Sequence, residues 1–456
     1  MSSPTQTLTD TPPPRPASGL PRLLAGIPAD GAMNLAEHLA LHGGPPPLSR
    51  RGRREQPPLI GQIEEAGLHG QGGAGFPTAV KMRAVAASRG RPVVLVNAAE
   101  GEPASLKDRT LMQTVPHLVL DGAILAAEAL GADEVIVGVC ESARASVSSV
   151  AEAIAQRGAP RRRSARTRLV GVPAHYLAGQ ESALVNHVNG ATAIPSFTPP
   201  MVFQRGVARR PTLVNNAETL AQLALIARHG PSWFRELGTA SQPGSTLLTL
   251  SGPVAHPGVY EIAYGTSLQS LIAAAGGATA PSRAVLLGGY GGCWVAGEHL
   301  ANLVLCDEHL SAHGASLGAG VVALLPAEAC PVAETARLAR WLADRSAGQC
   351  GPCVHGLHAL AAAVKEIAAG GAQRGCEQRI ERLTALVRGR GACGHPDGAA
   401  RMISSAMLAF GGEFADHARH GPCDGCRDPA FLALPRSSDN FAEHGRSTAG
   451  KPVRPR

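Results

Sequence analysis

Three segments in the first third of the chain decide its fold: PVVLVN (residues 92–97), HLVLDGAILAAEALG (residues 117–131) and EVIVGV (residues 134–139). The first and third are short apolar runs rich in Val, and the middle one has the length and composition of a helix. Strands that alternate with helices at this spacing are typical of a parallel sheet covered by helices. The same alternation continues from about Leu59 to Leu237, so we predict an α/β domain there.

After the α/β domain, the predicted secondary structure of the chain changes twice. Short β-rich runs separated by Gly and Pro, such as TLLTLSG (246–252) and AVLLGG (284–289), predict a small mixed β domain. From Glu334 onward, helical patterns alternate with loops that contain cysteines, which predicts a helical bundle with metal ligands in its connections. The Pro- and Ser-rich start of the chain predicts a loosely held arm with one short helix, and the residues after Cys426 predict a tail.

Composition excludes several classes of protein. The chain has 456 residues, 44% of them hydrophobic, which excludes an intrinsically disordered chain. Lys and Arg number 42 against 35 Asp and Glu, a net charge of +7, but aromatic residues make up only 3%. Because stacking sites for single-stranded nucleic acid need exposed rings beside their charge, we expect no nucleic-acid partner. No apolar run reaches the roughly 18–20 residues of a membrane span and no signal peptide opens the chain, so we expect a cytoplasmic protein.

The ten cysteines are unevenly distributed. Five lie in the last quarter of the chain and include two Cys-x-x-Cys pairs: Cys350, Cys353, Cys393, Cys423 and Cys426. In a reducing compartment such clustering indicates metal ligation. The other five stand alone in the sequence, and we interpret them as small buried hydrophobic residues: Cys140, Cys293, Cys306, Cys330 and Cys376.

A glycine-rich loop, GLHGQGGAGFPTAVK (67–81), formally matches a dinucleotide fingerprint through Gly70, Gly72 and Gly75. That fingerprint requires a preceding strand, but the segment IGQIEEAGLH before this loop has helical spacing. What remains is a run of backbone N–H groups that can approach a flat or anionic ligand, with Lys81 in reach of a phosphate. The alternative is a glycine-rich turn that binds nothing.

Three further segments place polar residues at the ends of predicted strands: NAAEGEPASLKDR (97–109), HYLAGQESALVNHV (175–188) and RPTLVNNAETLAQ (210–222). Open α/β sheets bind ligands at the carboxyl ends of their strands, and helix N-termini attract anions. Two structural alternatives stay open. The acids near Lys107 and Asp108 can form an ion-pair network, and the pair Asn215 and Asn216 can cap a helix.

Together these four segments, with CGPC at 350–353, resemble the family of NADH-oxidising flavoprotein subunits of respiratory complex I, the F subunits of NADH:quinone oxidoreductase. They also resemble the matching subunits of soluble NAD-linked hydrogenases and formate dehydrogenases. The chain resembles a divergent member, over roughly residues 20–420. The resemblance implies that FMN takes hydride from NADH and passes single electrons to a [4Fe–4S] cluster. It also implies the following organisation: an arm (1–58), an FMN-binding α/β domain (59–240), a soluble-ligand-binding β-grasp domain (245–328), a helical iron–sulfur domain (334–426) and a tail (427–456).

Carried over residue by residue, the resemblance implies that FMN is lined by Gly70, Gly72, Gly73, Lys81, Asn97, Tyr176, Gly179, Glu181, Asn215 and Asn216. On the nicotinamide side Phe76 and Glu102 keep their family identities, and Phe76 is expected to stack on the adenine. Four positions depart from the family pattern, which has an acid, a glutamate, a lysine and an aromatic residue there: Ala99, Gln180, Thr198 and Met201. Each lost charge-assisted contact costs about 1.5–3 kcal/mol, which makes NAD(H) a doubtful ligand.

The resemblance also assigns cluster ligands: Cys350 and Cys353, in SAGQCGPCVHG, and Cys393, in ACGHPDG. The family has a further cysteine where this chain has Ala347, so one iron of the cube lacks a family ligand. Imidazole can replace thiolate, and we predict His395 as the fourth ligand in preference to His355, which is expected to face solvent. The alternatives are water as the fourth ligand, a three-iron cluster, zinc on the same residues, or no metal at all.

A separate segment, HARHGPCDGC, has a potential ligand at every third residue: His417, His420, Cys423 and Cys426. Two imidazoles and two thiols can form a tetrahedral zinc site. A three-residue step spreads side chains around a helix, so a turn at Gly421 and Pro422 would be needed to bring them together. The alternative is a vestige of the ferredoxin domain that the family often appends here.

The sequence therefore predicts an oxidoreductase subunit with FMN, a [4Fe–4S] cluster and a depleted nicotinamide pocket. Its predicted electron partner is a ferredoxin-like protein, another electron-transfer subunit or a membrane-bound reductase. Through such a partner we expect it to lie on the inner face of the membrane. One alternative is an authentic F subunit of NADH:quinone oxidoreductase with a rearranged pocket. The other is a non-catalytic assembly or ligand-binding protein without cofactors.

Overall fold

A computed structural model describes residues 19–44, 46, 58–158, 165–372, 375–427 and 430–435. Most of the arm predicted for residues 1–58 and most of the tail predicted for residues 427–456 lie outside these ranges. The short helix predicted near the start is present as α1 (Leu35–His42), capped by the side chain of Asn34.

The first part of the chain is built on a four-stranded parallel sheet in the order β3-β2-β1-β4, which confirms the predicted α/β architecture. Its strands are β1 (Val93–Ala98), β2 (Glu134–Cys140), β3 (Arg166–Val172) and β4 (Thr212–Asn216). Its other helices are α2 (Pro58–Ala66), α3 (Thr78–Ala87), α4 (Lys107–Thr114), α5 (Pro116–Leu130), α6 (Arg144–Arg157), α7 (Glu181–Val188), α8 (Ala217–His229) and α9 (Pro231–Phe234).

Helices α5 and α8 are almost entirely buried and pack closely against each other. Gly122 permits this contact, because a side chain there would collide with the backbone carbonyl of Leu220. Strand β1 is the inner strand between β2 and β4, and its Val and Leu residues are fully buried. The carboxyl ends of β1 and β4 are therefore held side by side, with Asn97 opposite Asn216 in the register.

The second part is a mixed five-stranded sheet in the order β6-β5-β11-β8-β9, in which only β5 and β11 run parallel. A two-stranded ribbon of β7 and β10 accompanies it. The strands are β5 (Ser245–Ser251), β6 (Gly258–Ala263), β7 (Thr266–Ser267), β8 (Ser282–Leu287), β9 (Cys293–Ala296), β10 (Val304–Leu305) and β11 (Val321–Pro326). The helices are α10 (Leu268–Ala274) and α11 (Asp307–Leu310).

The third part consists of helices around one apolar core that includes Leu338, Val364 and Phe414. They are α12 (Pro331–Asp344), α13 (His358–Ala368), α14 (Cys376–Val387), α15 (His395–Ala409) and α16 (Gly411–His420). A wide π-helical turn at Pro352–Leu357 precedes α13. Short 3₁₀ turns occur in all three parts of the chain, at Val207–Arg209, Gly297–Asn302, Ser311–His313 and Asp424–Arg427.

Buried carboxylates join the three parts. Glu218 on α8 accepts a 2.9 Å hydrogen bond from the backbone N–H of Leu247 in the mixed sheet. Glu102 accepts a 3.0 Å hydrogen bond from the backbone N–H of Tyr290, whose ring packs against Trp341 of the helical part. These contacts hold the end of the parallel sheet against both later parts.

Among the described residues, no single helix has the length and apolar composition needed to cross a membrane. Only α4 and α5 taken together meet that criterion, and they are bent by 96° at their junction.

Candidate functional site

The glycine-rich loop closes on itself between α2 and α3. The backbone N–H of Gly70 donates a 2.9 Å hydrogen bond to the carbonyl of Phe76, and His69 bridges to Pro77. Gly73 and Gly75 have φ values of 101° and 60°, a region in which side chains are unfavourable. The loop therefore presents bare backbone to the end of the parallel sheet. The helix predicted before it, which argued against a dinucleotide fingerprint, is α2.

A cavity of about 300 Å³ lies between this loop and the ends of β1 and β4. Nine of the residues predicted to bind cofactor line it: Gly70, Gly72, Phe76, Lys81, Asn97, Gly179, Glu181, Asn215 and Asn216. Ala74, Gly75, Gln180, Val214 and Thr219, which the sequence did not single out as cofactor ligands, line it too. Cavities of this size hold cofactors in other proteins.

The two adjacent asparagines have different tasks. Asn216 caps α8, accepting from the backbone N–H of Glu218 over 3.0 Å, and donates over 2.5 Å to Asp108. Helix capping is the structural alternative that the sequence analysis left open for this pair of asparagines, and Asn216 fulfils it. The Nδ2 of Asn215 is buried and has no hydrogen-bond partner among the described residues. Because orphaned buried donors are costly and the residue lines the cavity, this amide is suited to a polar group of a bound ligand.

A buried ion-pair network lies beside the cavity and contacts its wall through Asp108 and Asn216. The Nζ of Lys107 lies 2.9 Å from Asp108 and 3.0 Å from Glu218, and its side chain is only 4% exposed. The carboxylates around it raise the pKa of Lys107 despite the opposing effect of burial. Lys107, Asp108 and Glu218 thus form a buried ion-pair network. Glu218 was not among the acids that the sequence placed near Lys107.

Lys81 and Glu181 form an ion pair at the edge of the same cavity. The Nζ of Lys81 lies 3.0 Å from Glu181 and donates over 2.9 Å to the carbonyl oxygen of Val214. Asn97 closes the other side through a 2.7 Å hydrogen bond from its amide to the carbonyl of Gly179. Bare loop amides, a lysine and an unpaired amide together form a donor-rich cradle that fits the phosphate and the flat polar ring of FMN.

Two of the predicted cofactor ligands, Tyr176 and Glu102, lie in a second cavity of about 180 Å³, where the α/β and helical parts meet. Trp341 of α12 and Arg345, which caps the end of that helix, line this cavity as well. Burial raises the pKa of Glu102 to about 7, against hydrogen bonds from Tyr290, Ala104 and Tyr176. Gly73 belongs to the glycine loop and packs near Gly318. Thr198 and Met201 are exposed and line neither cavity.

The three predicted cluster thiols lie close enough to affect one another. Burial, followed by the neighbouring Cys350 and Cys393, raises the pKa of Cys353. Burial and the nearby Cys350 raise the pKa of Cys393 in the same way, opposed by the backbone N–H of His395. Cys353 lies within the π-helical turn, a feature often found at functional sites. Three neighbouring thiols supply three of the four ligands that a [4Fe–4S] cluster takes.

His395 is buried at the start of α15, whereas His355 is exposed. Burial lowers the pKa of His395 to about 4, so the imidazole is neutral. Its Nε2 lies 2.8 Å from the carbonyl oxygen of Leu342 and acts as the donor, because a carbonyl can only accept. This leaves Nδ1 as the nitrogen with a free lone pair. Metal-bound histidines usually have such a second hydrogen bond, so this geometry supports the prediction of His395 as a ligand.

Packed rings join the region of the thiols to the second cavity. Tyr176 lies edge-on to His395 at 5.5 Å between ring centroids and edge-on to Trp341 at 5.0 Å. Tyr176 is three residues from Gly179, and His395 is two residues from Cys393. One pair of packed rings, Tyr176 and His395, thus lies between the segment that carries Gly179 and the segment that carries Cys393.

Cys330 is buried, as predicted, but it does not stand alone in the structure. Its thiol lies with His417, Cys423 and Cys426 in a compact group in which the potential ligand atoms are all within 4.8 Å of one another. His420, which the sequence grouped with them, is exposed and does not belong to the group. Cys330 was missed because it lies far from the others in sequence. The one local signal is its position directly before Pro331, at the start of a helix.

Three family models match successive parts of the chain. They describe an Nuo51 FMN-binding domain at residues 63–225, an SLBB domain at residues 247–289, and the iron–sulfur binding region of NADH-ubiquinone oxidoreductase-F at residues 333–417. The first covers the cavity at the glycine loop, and the third covers the three converging thiols. The cofactors FMN and [4Fe–4S] therefore agree with the donor sets of both places.

The proteins that are similar to this chain over most of its length include F subunits of NADH-quinone oxidoreductases and a hydrogenase chain. The F 2 subunit of NADH-quinone oxidoreductase in Rhizobium meliloti is 32% identical over 378 residues, which cover 80% of this chain and 90% of the relative. The F subunit of NADH-quinone oxidoreductase in Streptomyces coelicolor is 31% identical over 82% of this chain and 86% of the relative. A chain of an NAD⁺-reducing [NiFe]-hydrogenase, solved in its H₂-reduced state, is 31% identical with a TM-score of 0.72. The match covers 81% of this chain and 64% of the hydrogenase chain.

Proposed function

Because this chain belongs to the family of NADH-quinone oxidoreductase F subunits and is an FMN and iron–sulfur oxidoreductase, we propose that it is an electron-transfer subunit with a depleted nicotinamide pocket. Its electron partner is a ferredoxin-like protein, another electron-transfer subunit or a membrane-bound reductase. The observation that carries the proposal is the composition of the cavity wall. Groups that hold a flavin are retained, whereas carboxylates expected on the nicotinamide side are replaced.

Gln180 illustrates the depletion. Its Oε1 accepts hydrogen bonds from the backbone N–H groups of Ser182 and Ala183, at 2.9 and 3.0 Å, and a third from the Ser182 hydroxyl. The side chain is therefore used as the cap of α7 and carries no charge. Ala99, the other changed position near the sheet end, has no polar side-chain group. A nicotinamide nucleotide would find two fewer carboxylates there than in the family pattern.

The residues near the cradle have separate tasks. When bound, FMN supplies the conversion between two-electron and one-electron transfer. The glycine loop and Asn215 orient the ring system, and Lys81 places positive charge for the phosphate. Asn97 holds Gly179 against the sheet end. The packed rings of Tyr176 and Trp341 exclude water between the cradle and the thiols, and Cys350, Cys353, Cys393 and His395 are the proposed iron ligands.

The experiment is anaerobic purification followed by rapid mixing with two reductants. We expect a yellow-brown protein whose flavin band bleaches rapidly with a reduced ferredoxin and slowly with NADH. The double variant Ala99→Asp with Gln180→Glu restores the family charges and should accelerate reduction by NADH specifically. Rapid bleaching of the unaltered chain by NADH would contradict the depleted pocket. Colourless protein after reconstitution with FMN, iron and sulfide would contradict the electron-transfer role altogether.

A second candidate function, that of an authentic NADH-oxidising flavoprotein, is favoured by one observation. Phe76 is 51% exposed at the mouth of the flavin cavity, where an adenine can stack on it. Glu102, the other nicotinamide-side residue that keeps its family identity, lies in the neighbouring cavity. The same rapid-mixing experiment separates the two functions, because only this one requires fast reduction by NADH.

A further inference from the structure

The group formed by Cys330, His417, Cys423 and Cys426 does not take part in the electron route described above. Cys330 precedes α12, His417 lies in the last turn of α16, and the other two cysteines follow that helix. The helix ends at His420, and Gly421 leaves it with a φ of 86°. The break that the sequence required is therefore present, and it turns Cys423 and Cys426 back toward His417.

The distances within this group match a single tetrahedral ion. Cys330 Sγ lies 3.5 Å from His417 Nε2, Cys423 Sγ lies 3.8 Å from Cys426 Sγ, and Cys426 Sγ lies 4.0 Å from His417 Nε2. Zinc bond lengths of about 2.3 Å to sulfur and 2.0–2.1 Å to nitrogen, with tetrahedral angles, imply separations of about 3.8 and 3.6 Å. The four atoms therefore need only small shifts to surround one metal.

The surroundings also suit a metal. His417 uses its other ring nitrogen, Nδ1, in a 3.3 Å hydrogen bond with the carbonyl of Ala368, the arrangement that orients metal-bound imidazoles. The thiol of Cys330 accepts from the backbone N–H of Ala333 over 3.4 Å, at the N-terminus of a fourteen-residue helix.

Close backbone packing fixes the turn that carries the last two ligands. A side chain at Gly425 would approach the carbonyl oxygen of Glu328 to 2.5 Å and the backbone nitrogen of Cys330 to 3.3 Å. The turn thus lies directly on the segment before α12. None of these four side chains belongs to the proposed ligands of the iron–sulfur cluster.

From this geometry we infer that Cys330, His417, Cys423 and Cys426 bind one structural zinc ion. Four protein ligands complete a tetrahedron and leave no open position, which is typical of structural sites and excludes a catalytic one. An iron–sulfur cube is disfavoured, because its ligands bind separate iron atoms and cannot all lie within 4.8 Å of one another. The thiol-rich donor set also excludes calcium and magnesium, which prefer oxygen ligands.

The site joins the two ends of the helical part. It ties the start of α12 to the end of α16, and the chain beyond it returns to the second cavity. The backbone N–H groups of Phe431 and Leu432 donate to Glu334 of α12, over 2.9 and 3.3 Å, and the Tyr290 hydroxyl donates to the carbonyl oxygen of Ala433 over 2.6 Å. Pro435 lines the cavity that contains Tyr176 and Glu102. Zinc at this site therefore anchors the chain shortly before the segment that contributes Pro435 to the cavity lining.

The test is the metal content of the full-length chain, purified after growth with zinc and, separately, after reconstitution with zinc alone. We expect one tightly bound zinc per chain, unchanged when Cys350→Ser or Cys353→Ser removes iron. Cys423→Ser and Cys426→Ser should lose at least nine tenths of the zinc and keep the iron. Cys423 is exposed, so its replacement is compatible with folding, which circular dichroism checks.

His420→Ala is the matched control, because this histidine lies one turn from His417 but outside the group. It should retain zinc in full. Cobalt in place of zinc should give the intense visible bands of tetrahedral coordination with thiolate charge transfer, and these should vanish in Cys426→Ser. The inference is overturned by a folded chain without zinc, by equal zinc loss in His420→Ala, or by iron in place of zinc at these residues. Each result is independent of flavin reduction, and so of the proposed electron-transfer function.

Discussion

A hydrogen bond from Asn97 to Gly179 joins the end of β1 to the segment before α7 at the wall of the flavin cavity. The amide of Asn97 donates to the carbonyl oxygen of Gly179 over 2.7 Å, and a side chain at Gly179 would collide with the carbonyl oxygen of Ala99. The segment after β3 can therefore lie on the end of β1 only because residue 179 lacks a Cβ. This contact sets the spacing between the glycine loop and the N-terminus of α7.

Gly179→Ala is expected to weaken FMN binding about ten-fold or more, because overpacking of this kind costs about 1–3 kcal/mol and separates the cavity walls. Titration of the apoprotein with FMN, followed by flavin fluorescence, measures the change. Gly61→Ala is the control, since Gly61 lies on α2 with nothing within 4 Å of an added Cβ. Equal affinity in the two variants would contradict the role of the close approach.

Asn215→Ala should have opposite effects on the apoprotein and the holoprotein. The Nδ2 of Asn215 has no partner among the described residues, so its removal should leave the apoprotein as stable as before or more so, whereas FMN affinity should fall about 2- to 10-fold. Thermal unfolding with and without FMN measures both effects. Asn216→Ala should instead lower the stability of both forms, because it removes the α8 cap and the contact with Asp108. If both variants destabilise the apoprotein alike, the assignment of Asn215 is wrong.

Lys107→Met should destabilise the chain by about 3–5 kcal/mol, because it leaves Asp108 and Glu218 buried without their counter-charge. Chemical denaturation of the apoprotein, followed at the α/β part, measures the loss. Lys365→Met is the control, since Lys365 is exposed on α13, and it should change stability by less than about 0.5 kcal/mol. A small effect at Lys107 would show that its network is not needed for the fold.

Glu102 should make stability depend on pH. Burial raises its pKa from 4.5 to about 7, so the folded chain holds the proton more tightly than the unfolded chain does. The contribution is complete below about pH 4.5 and is lost as the pH rises through about 7, a change on the order of 3 kcal/mol. In the uncharged variant Glu102→Gln, the thermal unfolding midpoint should change less between pH 5 and pH 8 than it does in the unaltered chain. An unchanged pH profile would contradict the raised pKa.

His395→Cys should lower the reduction potential of the iron–sulfur cluster, because thiolate ligands stabilise the oxidised form more than imidazole does. Redox titration followed by electron paramagnetic resonance measures the potential and the cluster type. His395→Ala should favour a three-iron signal, since one iron loses its ligand. His355→Ala, at an exposed position, should change neither property. A shift in that variant instead would place the fourth ligand at His355.

Local patterns were sufficient for the elements of the fold. The apolar runs at residues 93–98 and 134–140 formed strands, and the helical spacing before the glycine loop formed α2, because burial of one face follows directly from periodicity. The turn needed at Gly421 was also foreseeable, since glycine ends helices in this way. These features depend on residues that are neighbours along the chain.

The sequence by itself determined the parallel sheet, the bare loop, the paired cysteines and the resemblance to the family, because each depends on short-range spacing or on motifs in order. Only the tertiary structure decided which of the two asparagines caps α8 and that Glu102 and Tyr176 lie in a second cavity. It also replaced His420 by Cys330 in the second thiol group, across 87 residues between Cys330 and His417. Contacts between residues this far apart are set by how helices and sheets pack, which local patterns do not encode.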